Sequence, residues 1–493
     1  MQTIEVPSSR LWKVAEKIFD VLSSLKLAVL VILSLAIALA VATFLESLYD
    51  TPTAQYWIYR ATWFHLILAL LGVNIFSVAM SRLPWKFKHI PFLLAHLGIL
   101  LLLMGSWITE QIGTDGNLRV SEGEAESVVE LDQAALVLSE NNQVFSVPIP
   151  WMPPGVRFHP VSVKSAGIPY ALTVDQFLSH AEPEVSFIPR SSASPQFEQA
   201  VSPGSGALRV RVVGGPMRIS QEVWLWEGAP QWKEVQAGPA RFWMTRQKLH
   251  RGNASFQVAA TGPSIGFEVK PDGIAFLSRS SDGKFVEGFL SNKKGLAGKD
   301  IHPGWKGNVL LTVEEWIPEA TLKVVYQPSR MQYGPQAPTS AIHVVGDQGE
   351  SAWLGLGDRA VLHLGGREVG LGYFPRRLIL PFSLRLDRFV VEHDPGTQRP
   401  AAYASQVTTL QSNREVKATI SMNEPLELHG YTLYQASYED GDPRPVTSIL
   451  SVNRDPGRTS KYLGSLLIVL GSILLFVSKV RKKSKVQPAR VIS

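Results

Sequence analysis

Residues Ile90–Ile108 read IPFLLAHLGILLLLMGSWI. The run is long enough to cross a bilayer as a helix and contains no Asp, Glu, Lys or Arg. Its single ionisable group is His96. An ionisable side chain in hydrocarbon is costly, so it marks a functional candidate. Three similar runs lie around it: about Leu25–Leu45 and Trp63–Met80 before it, and about Tyr462–Ser478 near the end. Between the third and fourth runs stands a polar stretch of roughly 350 residues, far longer than a connecting loop. The layout predicts a large domain tethered to one membrane face by both of its ends.

Lys and Arg stay on the cytoplasmic side of membrane spans. Arg10, Lys13 and Lys17 precede the first run, and Arg82, Lys86 and Lys88 separate the second from the third. Lys479, Arg481, Lys482, Lys483 and Lys485 follow the fourth. Four spans put all three clusters on one side, which predicts cytoplasmic termini and an extracytoplasmic domain. The first run is too long for a signal peptide and leads into no small-residue cleavage site. With no room for a transit peptide before it, a bacterial cytoplasmic membrane is expected. Upstream, Leu11, Ala15, Ile18, Phe19 and Leu22 recur at helical spacing. They fit either a helix lying in the membrane interface or an extension of the first span.

The expected divisions are an N-terminal helix over 1–24, three transmembrane helices over 25–112, a periplasmic β domain over 113–459, a fourth transmembrane helix over 460–479 and a basic tail over 480–493. The β reading rests on short alternating or β-branched runs between Gly, Pro, Asn and Asp, such as Ala135–Leu138, Leu208–Val213, Leu384–Val391 and Val446–Val452. Their lengths and turn signals predict an antiparallel β-sandwich. The Ser-, Pro- and Gly-rich stretch Pro189–Pro216 reads as a long hairpin loop or as a boundary between two β subdomains. The net charge of +6 belongs to the span-flanking clusters and gives no nucleic-acid signal. There is no cysteine, so thiol exchange and thiolate nucleophiles are excluded.

No phosphate-binding loop, HExxH or clustered metal-ligand spacing occurs. Gly262-Pro-Ser264-Ile-Gly266 fits a nucleophile elbow on paper, but it runs into Phe267-Glu-Val-Lys, a strand rather than the required helix. Gly355-Leu-Gly357…Ala360 loosely fits a dinucleotide loop and also runs into a strand. No catalytic residue emerges. His65 sits near a span end, where solvation is cheap, and His393 and His429 read as surface or turn residues. His96 keeps three readings: haem ligation, an interhelical hydrogen bond, or a proton relay. An imidazole in hydrocarbon is held neutral, and neutral imidazole is a ligand for haem iron. At about 100° per residue Phe92, Leu100, Leu103 and Trp107 share its stripe, with Gly98 and Gly105 opposite. The glycine face is expected to pack on this chain's own helices, because small residues admit close approach. The His96 stripe is expected to face a partner.

Several segments carry a resemblance. They are Ser24-Leu-Lys-Leu-Ala, Trp63-Phe, Asn74…Ser81-Arg82-Leu-Pro, Ala95-His96-Leu-Gly98…Gly105, Ile108-Thr109, Gly113-Thr-Asp-Gly116 and Glu122-Gly123-Glu124. Farther on come Leu380-Pro-Phe-Ser-Leu-Arg-Leu, Asn423-Glu-Pro-Leu…Gly430-Tyr…Tyr434-Gln-Ala-Ser-Tyr438 and Asp455-Pro-Gly457. In this order across four spans, the chain resembles the ResB/CcsB family of System II cytochrome c biogenesis. The middle, about Glu130–Arg376, matches mainly in being β-rich.

The resemblance implies a subunit of a cytochrome c synthetase, acting with a polytopic CcsA/ResC-like membrane partner. The pair would carry haem across the bilayer and attach it to the CxxCH thiols of apocytochrome c. In fused versions of the pair a histidine in the ResB-like half helps ligate haem, and the matching position is His96. It would hold the iron of a transient haem b shared with the partner, which would supply the second axial ligand. The partner's tryptophan-rich signature is absent here, so the chain would be a non-autonomous part of a haem lyase. Keeping the thiols reduced would fall indirectly to thioredoxin-like proteins. The competing reading is a membrane-anchored scaffold or chaperone for an extracytoplasmic protein, without haem contact. A transport accessory is disfavoured by the few polar residues in the spans.

Overall fold

The computed structural model describes residues 10–486 except 141–142, 164–170, 190–204, 216–218, 229, 254–255, 257–261, 331–337, 348, 395, 397–398, 412–413 and 440–444. It forms two compact units, one of residues 1–134, 150–156 and 375–493, the other of residues 135–149 and 157–374.

The first unit holds the helices. Helix α1 spans Arg10–Leu22 and α2 spans Leu25–Leu48. The break between them argues against a continuous extension of the first span. Ser24 caps α2 by accepting from Leu27 N, while buried Asn74 donates to the carbonyls of Leu22 and Ser24. Helix ends leave carbonyls without partners, and an amide placed there satisfies them where water is excluded. Trp12 and Ile18 of α1 are exposed. Helix α3 spans Thr62–Met80, α4 spans Ile90–Ile112 and α5 spans Arg458–Val486. Four of these, α2 to α5, are long and apolar enough to cross a membrane.

Helices α4 and α5 lie against each other along a seam of glycines. Gly98 faces Gly464, Gly105 faces Gly457, and Gly471 meets Pro91 and Ala95. A Cβ on Gly98 or on Gly464 would stand 2.5 Å from the other's carbonyl oxygen. The glycine face therefore packs on the chain's own helix, as the helical wheel predicts. Gly457, Gly464 and Gly471 recur every seventh residue, as do Gly98 and Gly105. A period of seven keeps both rows on one seam over several turns.

Strand β1 (Thr114–Ser121) continues from α4, and the last strand, Thr447–Arg454, leads into α5. The two pair antiparallel from Thr114↔Arg454 to Ser121↔Thr447, extending the helical hairpin as a β ribbon. With β2 (Ala125–Glu140), β3 (Arg367–His393), β4 (Pro400–Gln411), β5 (Arg414–Ser421), β6 (Leu426–Leu428), β7 (Tyr431–Glu439) and that last strand as β8, the sheet order is β5-β4-β3-β2-β1-β8-β7-β6. Its core alternates along the strands, as in Leu118 and Val120, Leu380, Phe382, Leu384 and Leu386, and Leu450 and Val452. The sheet curls, so that Tyr403 and Ser405 of β4 reach Ala436 and Gln435 of β7.

The second unit is also β. A five-stranded and a four-stranded sheet share a core that includes Val210, Leu311 and Val313 with Phe242, Ile265 and Phe267. A second five-stranded sheet is built on Leu172–Pro189. Pairing is antiparallel throughout the described ladders except between Ala240–Thr245 and Ser264–Lys270, which run parallel. Much of Pro189–Pro216 lies outside the described residues. Its described part includes the strand Ala207–Gly214, and the division between units falls elsewhere, at 134/135, 149/150, 156/157 and 374/375.

The seam predicts that Gly464→Ala lowers stability by about 1–3 kcal/mol through overpacking, against a helix-propensity gain of about 1 kcal/mol. Gly72→Ala is the control, since the nearest atom to its Cβ is Leu103 Cδ1 at 3.8 Å. Thermal unfolding in detergent should show a lower midpoint for the first and an unchanged or higher one for the second, which keeps the propensity gain. Equal midpoints would mean that the seam is not tight.

Candidate functional site in the third apolar span

His96 lies in the second turn of α4, half-buried, on the face opposite the seam. Its Nδ1 is 2.9 Å from the carbonyl oxygen of Phe92. A carbonyl only accepts, so Nδ1 carries the proton and donates. Nε2 then holds the lone pair, and no described side chain hydrogen-bonds to it. The imidazole stacks on the Phe92 ring, with centroids 3.7 Å apart and planes at 36°. The Arg82 guanidinium carbon lies 3.5 Å from the centroid of the same ring. Two planar groups cannot share one face at such distances, so Arg82 and His96 sandwich Phe92. A leucine-lined cleft of about 340 Å³ opens beside this stripe between α3 and α4, bounded by Phe76, Met80, Trp85, Leu93, Leu97 and Leu100.

This arrangement fits an axial ligand to haem iron. One ring nitrogen is oriented by a backbone acceptor, as metal-binding histidines commonly are. The other is free, in apolar surroundings. Among the described residues the His96 hydrogen bond is to its own helix, so it links no two helices of this chain.

The other histidines that the sequence singles out are His65, His393 and His429. His65 on α3 has Nδ1 3.0 Å from Ala61 O and Nε2 2.7 Å from Glu110 Oε1, so both nitrogens are engaged. His393 is exposed at the end of β3. His429 takes a left-handed backbone (φ 50°) in the turn before β7 and stacks on Phe382. His343 was not singled out by the sequence. Its Nδ1 lies 2.8 Å from Asp175 Oδ1 and its ring leans on Trp353. Only strand register joins these residues, which are far apart in the chain. Among the described residues no three His, Asp or Glu side chains cluster as a metal cage.

Ser264 opens a strand and is fully buried, so no elbow forms there. The loop at Gly355–Gly357 turns around Asp358, whose carboxylate accepts from Gly355 N and Tyr326 Oη. Burial, then the Asp358 contact, pushes the Tyr326 phenol well above its usual range.

Most motif residues outside α4 turn out to build the fold. Gly123 N donates to Leu386 O and Leu386 N to Glu124 O, clipping the 122–124 turn onto β3. Gln435, Ser405 and Ser448 form a closed buried hydrogen-bond set. At the joint between β8 and α5, Asp455 accepts from Thr109 Oγ1 of α4 and pairs with Lys461 at 2.6 Å. Burial alone would push the Asp455 carboxyl up. The hydrogen bonds from Lys461 and Thr109 and the Lys461 charge outweigh it and hold the group below its usual range. Beside this joint a polar cavity of about 570 Å³ is lined by residues that include Asp115, Asn453, Arg458 and Lys461. Its cations are already paired, Arg458 with Glu427 and Lys461 with Asp455.

Fold and site together define a membrane-helix protein whose helical hairpin carries a β domain and whose third span presents a free imidazole nitrogen. Residues 349–449 match the model of the ResB-like family, so the family resemblance read from the motifs holds. The chain is also similar to Protein NrfI of Wolinella succinogenes, 21% identical over 456 residues, an alignment covering 92% of this chain and 34% of that protein. The chain thus spans about a third of the length of that relative.

A carboxylate held below its usual range stabilises the fold above the unfolded-state value, and that contribution is lost as pH falls through the folded-state value. Below about pH 4 the wild-type melting midpoint should therefore fall more steeply than that of Asp455→Asn. Parallel curves for the two proteins would show that the joint contributes nothing.

Proposed function

We propose that this chain is a subunit of a System II cytochrome c synthetase. With a CcsA/ResC-like partner it would deliver haem across the membrane for covalent attachment to the CxxCH thiols of apocytochrome c. The observation that carries this reading is the His96 imidazole, with Nδ1 committed to the Phe92 carbonyl and Nε2 left with its lone pair. His96 would be one axial ligand of a transient haem b, and the partner would supply the other. Bound haem supplies the vinyl groups that the apocytochrome thiols attack. This chain's own residues hold and orient: Phe92 fixes the imidazole plane, and the leucines of α4 exclude water.

The basic clusters around the spans support cytoplasmic termini and a periplasmic β domain in a bacterial cytoplasmic membrane. His96 lies six residues into α4 from Ile90, roughly 9 Å along the axis at about 1.5 Å per residue. In that orientation it lies near the cytoplasmic end, suited to haem arriving from there. The absence of cysteine supports leaving thiol reduction to separate thioredoxin-like proteins.

The test is the absorption spectrum of the chain purified with its CcsA-like partner, beside the same complex carrying His96→Ala. A six-coordinate haem spectrum should be lost or changed in the variant and restored by added imidazole. Equal spectra from two intact complexes would remove His96 from ligation and favour the scaffold reading.

A further inference from the structure

The proposed ligand has an unexplained neighbour. Arg82 is exposed, and its guanidinium makes no ion pair or side-chain hydrogen bond among the described residues, yet it is held 3.5 Å over Phe92. A guanidinium stacked on a ring keeps its N–H donors in its own plane, pointing outward and free. That planar fork matches a carboxylate with two parallel hydrogen bonds. No acidic residue occurs from Ser81 to Leu100, while Lys86 and Lys88 add positive charge. A cation fixed by an aromatic face, without an anion of its own, lies one ring away from a free imidazole nitrogen.

We propose that Arg82 is the carboxylate-holding residue of the His96 site. Stacked on the far face of Phe92, it clamps the Phe92–His96 pair and offers its N–H fork to a propionate of the porphyrin. This rests on His96 being the ligand. A porphyrin has one carboxylate-bearing edge and an apolar remainder. Anchoring the charged edge at Arg82 turns the vinyl-bearing part towards the apolar length of α4. Arg82 thereby selects one orientation of the macrocycle.

The experiment compares ferric haem with haem dimethyl ester, which lacks the free carboxylates, in titrations of the haem-stripped complex with its partner followed by absorption. The wild type should prefer haem over the ester by about tenfold, the worth of one charge-assisted pair. Arg82→Gln should lose that preference while still binding the ester, and Arg82→Lys, which keeps the charge, should recover much of it. Equal loss of haem and ester in Arg82→Gln would limit Arg82 to supporting Phe92 and overturn the proposal, as would a wild type indifferent to esterification. In nanodiscs, a preference abolished by anionic phosphatidylglycerol but not by zwitterionic phosphatidylcholine would assign the fork to an anionic lipid headgroup and also overturn it. The ligand reading is judged separately: it fails if His96→Ala binds both porphyrins with a wild-type spectrum, and survives if only the Arg82 variants behave as wild type.

Discussion

The close backbone contact between α4 and α5 is the constraint from which the rest of the first unit follows. Lipid offers no hydrophobic drive for two apolar helices to associate, so van der Waals contact must hold them. Glycine at both sides of each crossing brings backbone against backbone: Gly98 with Gly464, and Gly105 with Gly457. The same two chain segments then pair as β1 and β8 without a change of partner. The chain therefore leaves the hairpin and returns to it in register. Asp455, Thr109 and Lys461 bridge the point where helix gives way to strand.

The seam also decides what α4 has left to offer. A helix that spends its glycine face on α5 has its opposite stripe for other contacts, and farther along that stripe Leu103 approaches Gly72 of α3. That stripe begins with Phe92 and His96, and the stack with Arg82 holds both rings in one arrangement. An imidazole without such support would sample several rotamers, and a ligand benefits from being oriented beforehand. The hydrogen bond to Phe92 O does the same for the proton, fixing the tautomer.

The segments that carried the family resemblance divide into two kinds. His96 and Arg82 present unused polar atoms. Gln435, Gly123, Gly116 and Asp455 are consumed by the fold. Gly116 lets β1 approach β2, since a Cβ there would meet Glu130 O at 2.5 Å. Gln435 joins Ser405 and Ser448 in a buried set whose members satisfy each other, an arrangement that specifies one packing of a curled sheet.

The amino-acid sequence by itself determined the four apolar helices, the β character of the remainder and the candidacy of His96. These depend on local composition and period: hydrocarbon demands about 20 apolar residues, strands alternate, and an isolated imidazole in an apolar run is conspicuous. The sequence also put Gly98 and Gly105 opposite His96, because a helical wheel is a local object. It held the seven-residue repeat of Gly457, Gly464 and Gly471 too, a signal readable only by asking which helix those glycines meet. Tertiary structure alone decided the rest. Where the chain divides into two units, which strands neighbour β1, that His343 meets Asp175, and that Arg82 caps the ring beneath His96 all depend on contacts between distant segments. No periodicity encodes such contacts, because they arise only when separate elements pack.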